Sequence, residues 1–442
     1  MKQDFLDRMK EMLNDEYALY LETLQQPPYR GLRINTLKIG IDEFQKLDLY
    51  ALKPTPFAKD SFYLDAAISG VGNHPSHLSG MIYLQEPSAA SAVSVLDPQE
   101  NDWVLDLCAA PGGKSTQIAA RLNNTGFLLS NEIENSRANI LLSNMERCGV
   151  SEMMVSNASP AALCEQVKGW FDKVLVDAPC SGEGMFKKNA KALEDWSIEH
   201  VKACQSRQLH ILDSAYQALK QEGVLVYSTC TYAPEENELV IQKFLAAHKD
   251  MELVDCNVKF GRAGLSGYGI NEAYVRRIFP MDQGEGHFIA KMVKHGEQEL
   301  SPIKEIKASK LNEAVQDFMN KQGCAPLHFY EQQGKVYGRI APFIKLDKIR
   351  ILRQGIECGE IIKNRFEPHH AFYLASVNQP YFKQSYELKP DEIKTYLHGD
   401  VINAELKGYT AILYQGVGIG FAKGDGRILK NKFPKGLRVN SF

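Results

Sequence analysis

Two cysteines stand where they could act as nucleophiles. Cys180 lies in DAPCSGEGMF, directly after the apolar run FDKVLV, and Cys230 lies in STCTYAPEENE, directly after GVLVY. Each follows a strand-like segment and sits among small, turn-forming residues. Cys148, Cys164, Cys204 and Cys256 have no such setting and read as small buried hydrophobes. In an open α/β sheet the carboxyl ends of the strands face one crevice, so both thiols and Asp177 would converge there. Two thiols and a carboxylate in one crevice suit covalent chemistry in which a thiolate adds to carbon.

A second pattern points to a bound cofactor. WVLDLCAAPGGKST runs from an apolar strand through small residues into a helix that opens near Lys114, so backbone from Cys108 through Ala109, Ala110, Pro111, Gly112 and Gly113 can approach a ligand closely. GGKST is not a phosphate-binding P-loop, because Cys108 stands where that loop needs its first glycine, and there is no GxGxxG. The next strand, FLLSNEI, ends in Glu132, placed to accept hydrogen bonds from two ribose hydroxyls. Together these describe a site for an adenosine-containing cofactor.

Elements that can position these groups follow from the hydrophobic pattern. Strands are expected at 103–107, 127–130, 153–156, 173–176, 224–227 and 287–292, with helices at 114–122, 136–148 and 199–220 between them. That alternation predicts a doubly wound, mostly parallel α/β sheet. Residues 2–25 read as one amphipathic helix ended by Pro27-Pro28, opening a small α+β N-terminal domain. The boundaries expected are 1–80 for that domain, 81–295 for the α/β domain, 296–380 for a connecting α/β region and 381–442 for a β-rich terminal domain read as a small barrel.

Composition is that of a globular protein: 442 residues, 44% hydrophobic and 24% charged. No apolar run reaches the ~18 residues of a membrane-spanning helix, and the charged N-terminus does not resemble a secretory signal. The nine cysteines are never closer than 16 residues apart, which fits neither a zinc ribbon nor a disulfide scaffold and implies a reduced, cytoplasmic setting. His369-His370 is adjacent, which points the two rings apart, so no metal site is expected. The net charge of −3 hides an asymmetry, since residues 296–442 carry 22 basic against 16 acidic residues. Lys423, Arg427, Lys430, Lys432, Lys435 and Arg438, opposed by Asp425, give the tail a basic edge suited to an RNA backbone. Nothing signals a coiled coil or repeat, and a monomer is expected.

DLCAAPGGKS, DAPCSGEGMF and STCTYAPEENE, with LRINTLK, YLQEPSAAS and GHFIAK, resemble the signature motifs of the RNA (cytosine-5)-methyltransferase family. The basic C-terminal domain is similar to the PUA-like end of its RsmF branch, which modifies small-subunit ribosomal RNA. The resemblance implies a class I S-adenosylmethionine-dependent fold and methyl transfer to carbon 5 of cytosine in RNA, with 16S rRNA or the small subunit as partner and no membrane. It implies that Cys230 attacks carbon 6, that Asp177 hydrogen-bonds or protonates N3, and that Cys180 acts as or near the base that completes release. Cys108 to Lys114, Glu132 and Asp177 would hold the cofactor. Where the family places an aspartate after strand three, this chain reads VSNASP, leaving Asn157 or Ser159 to meet the adenine. Lys187 and Lys188 are placed beside the target phosphate, and Arg33 and Asn35 are assigned to RNA positioning. Alternatives are a methyltransferase acting on tRNA, DNA or protein, with Cys180 attacking in the DNA case, and a non-catalytic RNA-binding assembly factor.

Overall fold

The computed structural model describes residues 1–439, so the last three residues of the expected terminal domain lie outside it. Its centre is a nine-stranded sheet. The strands are β1 (Trp103–Asp106), β2 (Phe127–Asn131), β3 (Met153–Asn157), β4 (Phe171–Asp177), β5 (Leu219–Thr229), β6 (Met251–Val254), β7 (Arg276–Ile278), β8 (His287–Lys294) and β9 (Arg350–Gln354). Their order is β6-β8-β5-β4-β1-β2-β3-β9, with β7 paired to β8. Strands β1 to β5 are parallel to one another, and β8 and β9 add antiparallel margins. The chain winds outward from β1 to β3 and returns to β4, which puts the switch point, and hence the crevice, between β1 and β4.

Successive side chains on these strands enter two different cores. Leu105, Leu129, Met154, Val174, Val176 and Tyr227 pack on one face with Trp170, Leu212 and Phe244. Val104, Leu128, Val155, Leu175 and Val226 pack on the other with Ile118, Leu141 and Met145. Coverage of both faces is why the strands read as unbroken apolar runs. The helices that cover them are α1 (Gly113–Leu122), α2 (Asn135–Arg147) and α3 (Ile198–Ala218).

The single helix expected at 2–25 is broken into Gln3–Leu13 and Tyr17–Leu24 by a 3₁₀ turn at Asn14–Glu16, where Asn14 has φ 45°. Its apolar face packs away from the N-terminal sheet, a four-stranded antiparallel array of Gly31–Ile34, Leu52–Pro54, Ser61–Leu64 and Ile82–Leu84. Phe5, Met9 and Leu13 instead join Phe186, Trp196 and Tyr232 in a core of their own. The segment after 300 contributes β9, whose residues Arg350–Gln354 pair with β3, as well as a four-stranded sheet. The terminal barrel expected from the sequence is a five-stranded sheet whose edge strands, Ser385–Glu387 and Ile402–Asn403, do not pair with each other. Its apolar residues Ile412 and Ile419, with Leu397 of the helix Glu392–His398, share one core with Leu32, Ile34 and Ile82 of the N-terminal sheet.

Candidate active site

The crevice holds a cavity of about 590 Å³, lined among others by Cys108, Ala110, Glu132, Asp177, Cys180 and Cys230. The two thiols lie with Sγ atoms 3.2 Å apart, within sulfur hydrogen-bonding distance. Register produces the meeting: β4 and β5 pair Asp177 with Ser228, and both strands end there, so the loops carrying Cys180 and Cys230 leave side by side. The hydrogen bond to Cys230, with burial, raises the Cys180 thiol well above its ordinary value, so Cys180 keeps its proton at neutral pH.

Asp177 faces the same space. Its Oδ1 accepts from Ser228 Oγ at 2.7 Å and its Oδ2 from Lys114 Nζ at 2.6 Å. Burial pushes this carboxyl up, but the Lys114 ammonium overcomes it and holds the group below the usual aspartate value. Among the described residues Asp106, at the end of β1, has no cation bonded to it. Burial raises it to about 7 despite the bond from Ser115 Oγ, and its Oδ1 has no partner. His287 lies behind them, lowered to about 4 by burial and then by Lys114; Ser88 Oγ, 3.1 Å from its Nδ1, links it to Glu86.

Of the loop residues expected to hold a cofactor, Cys108 and Ala110 line the cavity, whereas Ala109 is buried behind it. Gly112, with φ 111°, turns the chain into α1, where a Cβ would press 3.2 Å from Leu141, and Gly113 packs against Tyr83 and Gln85. Pro111 offers its carbonyl to Asn144 Nδ2. Lys114 reaches Asp177 instead of a phosphate. Glu132 is fixed by Glu134 N at 2.9 Å and by Arg137, which also donates to Ala110 O, so one guanidinium ties the loop to the acid.

Several expectations need correcting. Asn157 does not line the cavity: its Nδ2 donates to Glu132 O and Ile133 O, both at 2.8 Å, and its Oδ1 accepts from Arg350. Its amide braces the Glu132 loop rather than facing adenine. Ser159 caps the helix Pro160–Gln166, and the rim beyond Glu132 is formed by Ile133 and Pro160. Arg33 and Asn35 are fully buried: Arg33 donates to Thr116 Oγ1 and Gly113 O under α1, and Asn35 to Gly80 O and Cys148 O. They brace the N-terminal sheet against the central domain and cannot touch RNA. Lys187 is paired with Glu285 at 3.3 Å, and Lys188 donates to Tyr29 O.

The sequence reading missed Arg137 and Arg207, both lining the cavity, and the N-terminal helix as a clamp. Phe5 packs edge-on to Phe186, six residues after Cys180, and Arg8 grips Glu235, five after Cys230, through two bonds of 3.0 and 2.6 Å. Glu236 adds a second brace, accepting from Ser181 N and Gln208 Nε2. Only the amphipathic pattern hinted that this helix had something to cover. Among the described residues one group offers metal-type ligands, Glu146, Glu357 and His369, and Arg353 pairs with both of its carboxylates.

Against this geometry the comparisons are consistent along the chain. Residues 93–293 match the family described as 16S rRNA methyltransferase RsmB/F. Residues 1–87 match the N-terminal domain of 16S rRNA methyltransferase RsmF, 318–375 its first C-terminal domain and 383–439 its PUA domain. A protein named ribosomal RNA small subunit methyltransferase F, from Escherichia coli O139:H28, is 32% identical over 98% of this chain and 95% of its own length. The chain belongs to the RsmF branch of this methyltransferase family. A counterpart of the same name from Shigella boydii serotype 18 is 31% identical over the same shares. Among solved structures, a methyltransferase homolog from Pyrococcus horikoshii superposes with TM-score 0.60 at 32% identity, covering 66% of this chain and 95% of its own. NSun6 from the same organism gives TM-score 0.59 at 22% identity over 67% of this chain and 99% of its own, a likeness of fold. The RsmF-type chain therefore carries a class I, S-adenosylmethionine-dependent methyltransferase domain and a PUA domain, and no described helix is long and apolar enough to cross a membrane.

Proposed function

We propose that the protein methylates carbon 5 of a cytosine in 16S rRNA through a covalent bond between Cys230 Sγ and carbon 6 of the base. The observation that carries this reading is the pairing of the two thiols at 3.2 Å beside Asp177, in a cavity continuous with Glu132. S-adenosylmethionine, when bound, supplies an electrophilic methyl group on sulfur. The cavity suits it: Glu132 can accept from ribose hydroxyls, and Ile133, 57% exposed at the rim, and Pro160 offer apolar surface to adenine.

The residues divide the work as follows. Cys230 is the nucleophile: once its proton has passed to solvent, its sulfur bonds to carbon 6 while the ring electrons move toward N3 and carbon 5. Asp177 delivers a proton to N3, and the Lys114 ammonium behind it is the source. Carbon 5 then takes the methyl group. With Cys230 bonded to carbon, the largest of the contacts that raise Cys180 is gone. Cys180 gives its proton to solvent and, as thiolate, takes the proton from carbon 5, while N3 returns its proton through Asp177 to Lys114 and the bond to Cys230 breaks, which restores the aromatic ring and frees the Cys230 thiolate. The target base must leave any stack to reach this depth. Ribosomal RNA as substrate places the work in the cytoplasm, and a monomer suffices, since every proposed group comes from one chain.

The test incubates Cys180→Ala with S-adenosylmethionine and total cellular RNA, followed by a denaturing gel. RNA should remain attached to Cys180→Ala and not to Cys230→Ala, and sequencing the attached RNA names the substrate, separating 16S rRNA from tRNA. Attachment only in Cys230→Ala would exchange the roles of the thiols. No attachment in either would overturn the covalent mechanism.

A further inference from the structure

A separate cavity of about 570 Å³ opens between the C-terminal sheet and the region that precedes it. Its floor is aromatic, with Phe318 and Phe366 buried and Tyr409 half-buried. Four cations stand around it, each from a different element. Lys321 comes from helix Glu313–Gln322, Arg365 from strand Arg365–Pro368, Lys407 from strand Lys407–Tyr414, and Lys423 from strand Val417–Asp425. The lining contains one carboxylate, Asp317, bonded to Lys321 at 2.7 Å. Glu367 accepts from Tyr409 Oη at 2.7 Å and so faces the ring. Among the described residues Arg365 and Lys407 are exposed and have no acidic partner, while Lys423 lies 4.6 Å over the Tyr409 ring.

Like charges gathered around a concave aromatic floor repel one another unless an anion lies between them. The ligand with matching chemistry is a nucleotide step, in which phosphates meet the cations and an unstacked base meets the rings. We propose that this cavity is a second RNA-binding site, in which Arg365 and Lys407 hold consecutive phosphates of a looped strand away from the target cytosine. This rests on the reading that the chain acts on rRNA. It extends that reading by assigning RNA contact to the region before the PUA domain as well, at a cleft neither part forms alone. The six-residue basic edge expected from the sequence shares Lys423 with this cleft; of its other members, Lys430 is paired with Asp425 and Arg438 packs against Gly399.

The test uses the full chain carrying Arg365→Gln with Lys407→Gln, and in vitro-transcribed 16S rRNA as probe. Filter binding over a range of KCl, single-turnover methylation and calorimetric binding of S-adenosylmethionine are measured for wild type and variant. The variant should bind RNA about tenfold more weakly near 0.1 M KCl. Its salt dependence should be shallower by roughly 1.4 to 1.8 in log K against log salt, the loss of two phosphate contacts. Cofactor affinity and the rate at saturating RNA should be unchanged, which also shows that the variant is folded. Wild-type RNA affinity and salt slope in the variant would overturn the site, as would RNA binding that acidic peptide displaces equally from both proteins. If wild type itself fails to methylate the RNA, the functional reading fails instead, and the binding arm still judges the cleft.

Discussion

Asp106 and Asp177 end neighbouring strands of the same sheet and burial pushes both up, but only Asp177 has an ammonium bonded to it, so removing Lys114 should raise Asp177. Asp106, with no cation bonded to it, is raised to about 7, whereas Asp177, with Lys114 at 2.6 Å, sits below the usual aspartate value. A charge-assisted hydrogen bond of this kind is worth about 1.5–3 kcal/mol, roughly a 10- to 100-fold effect. In Lys114→Met burial is left unopposed, so the pH at which the Asp177 carboxyl titrates should rise above the usual aspartate value. Below that pH it carries its own proton and can still serve N3. Above it, the variant has neither that proton nor the ammonium behind it. Single-turnover methylation, measured from pH 6 to 9 and expressed as the ratio of variant to wild type, removes the dependence both proteins share. The ratio should lie near one at pH 6 and fall 10- to 100-fold by pH 8.5. A ratio independent of pH would refute Lys114 as the proton source, and one that rises with pH would make Asp177 an acceptor only.

Asn157→Ala removes two 2.8 Å hydrogen bonds from the Glu132 loop, about 1 kcal/mol each, so calorimetry should show S-adenosylmethionine binding weakened about 10- to 30-fold; an unchanged affinity would mean the loop holds itself. Arg277→Met strands Glu238, which is 0% exposed and takes two bonds from that guanidinium, and should cost about 3–5 kcal/mol. Arg277→Met with Glu238→Met should recover most of the loss in melting temperature, and a double variant as unstable as the single would contradict the buried-charge argument. For Asp106, burial keeps the folded carboxyl protonated to about 7 while the unfolded one ionises near 4. Wild-type stability attributable to this group therefore falls as pH rises between those values. Asp106→Asn should gain on wild type across that window, by up to about 4 kcal/mol, and hold a constant lead above it. Denaturation curves at pH 4, 5.5, 7 and 8 with a constant difference would show that Asp106 is ionised in the fold.

The six strands read from the sequence are legible because helices cover both faces of the sheet, so consecutive residues such as Val104 and Leu105 are apolar although they point to opposite sides. Strand β9, RILRQ, was not legible: it is a margin strand, and its pairing with β3 spans nearly 200 residues that no local pattern reports. The thiols, Asp177 and Glu132 could be placed because strand ends in a doubly wound sheet share one crevice. Arg33, Asn35, Lys187 and Asn157 were misread for one reason. Polar side chains look solvent-facing in a sequence, and only the fold supplies the Thr116, Cys148, Glu285 and Glu132 atoms that occupy them. The clamp by Phe5 and Arg8 was hidden likewise, because its partners lie near positions 186 and 235.

The core shared by Leu32, Ile34 and Ile82 with Leu397, Ile412 and Ile419 closes the chain into a loop, its first-made sheet resting on its last-made one. Lys38 adds a latch, donating to Leu374 O from a buried position. During synthesis from the N-terminus, the opening sheet leaves the ribosome before the C-terminal residues that share its core are translated. A chain truncated before those residues should therefore lose stability at its beginning as well as at its end.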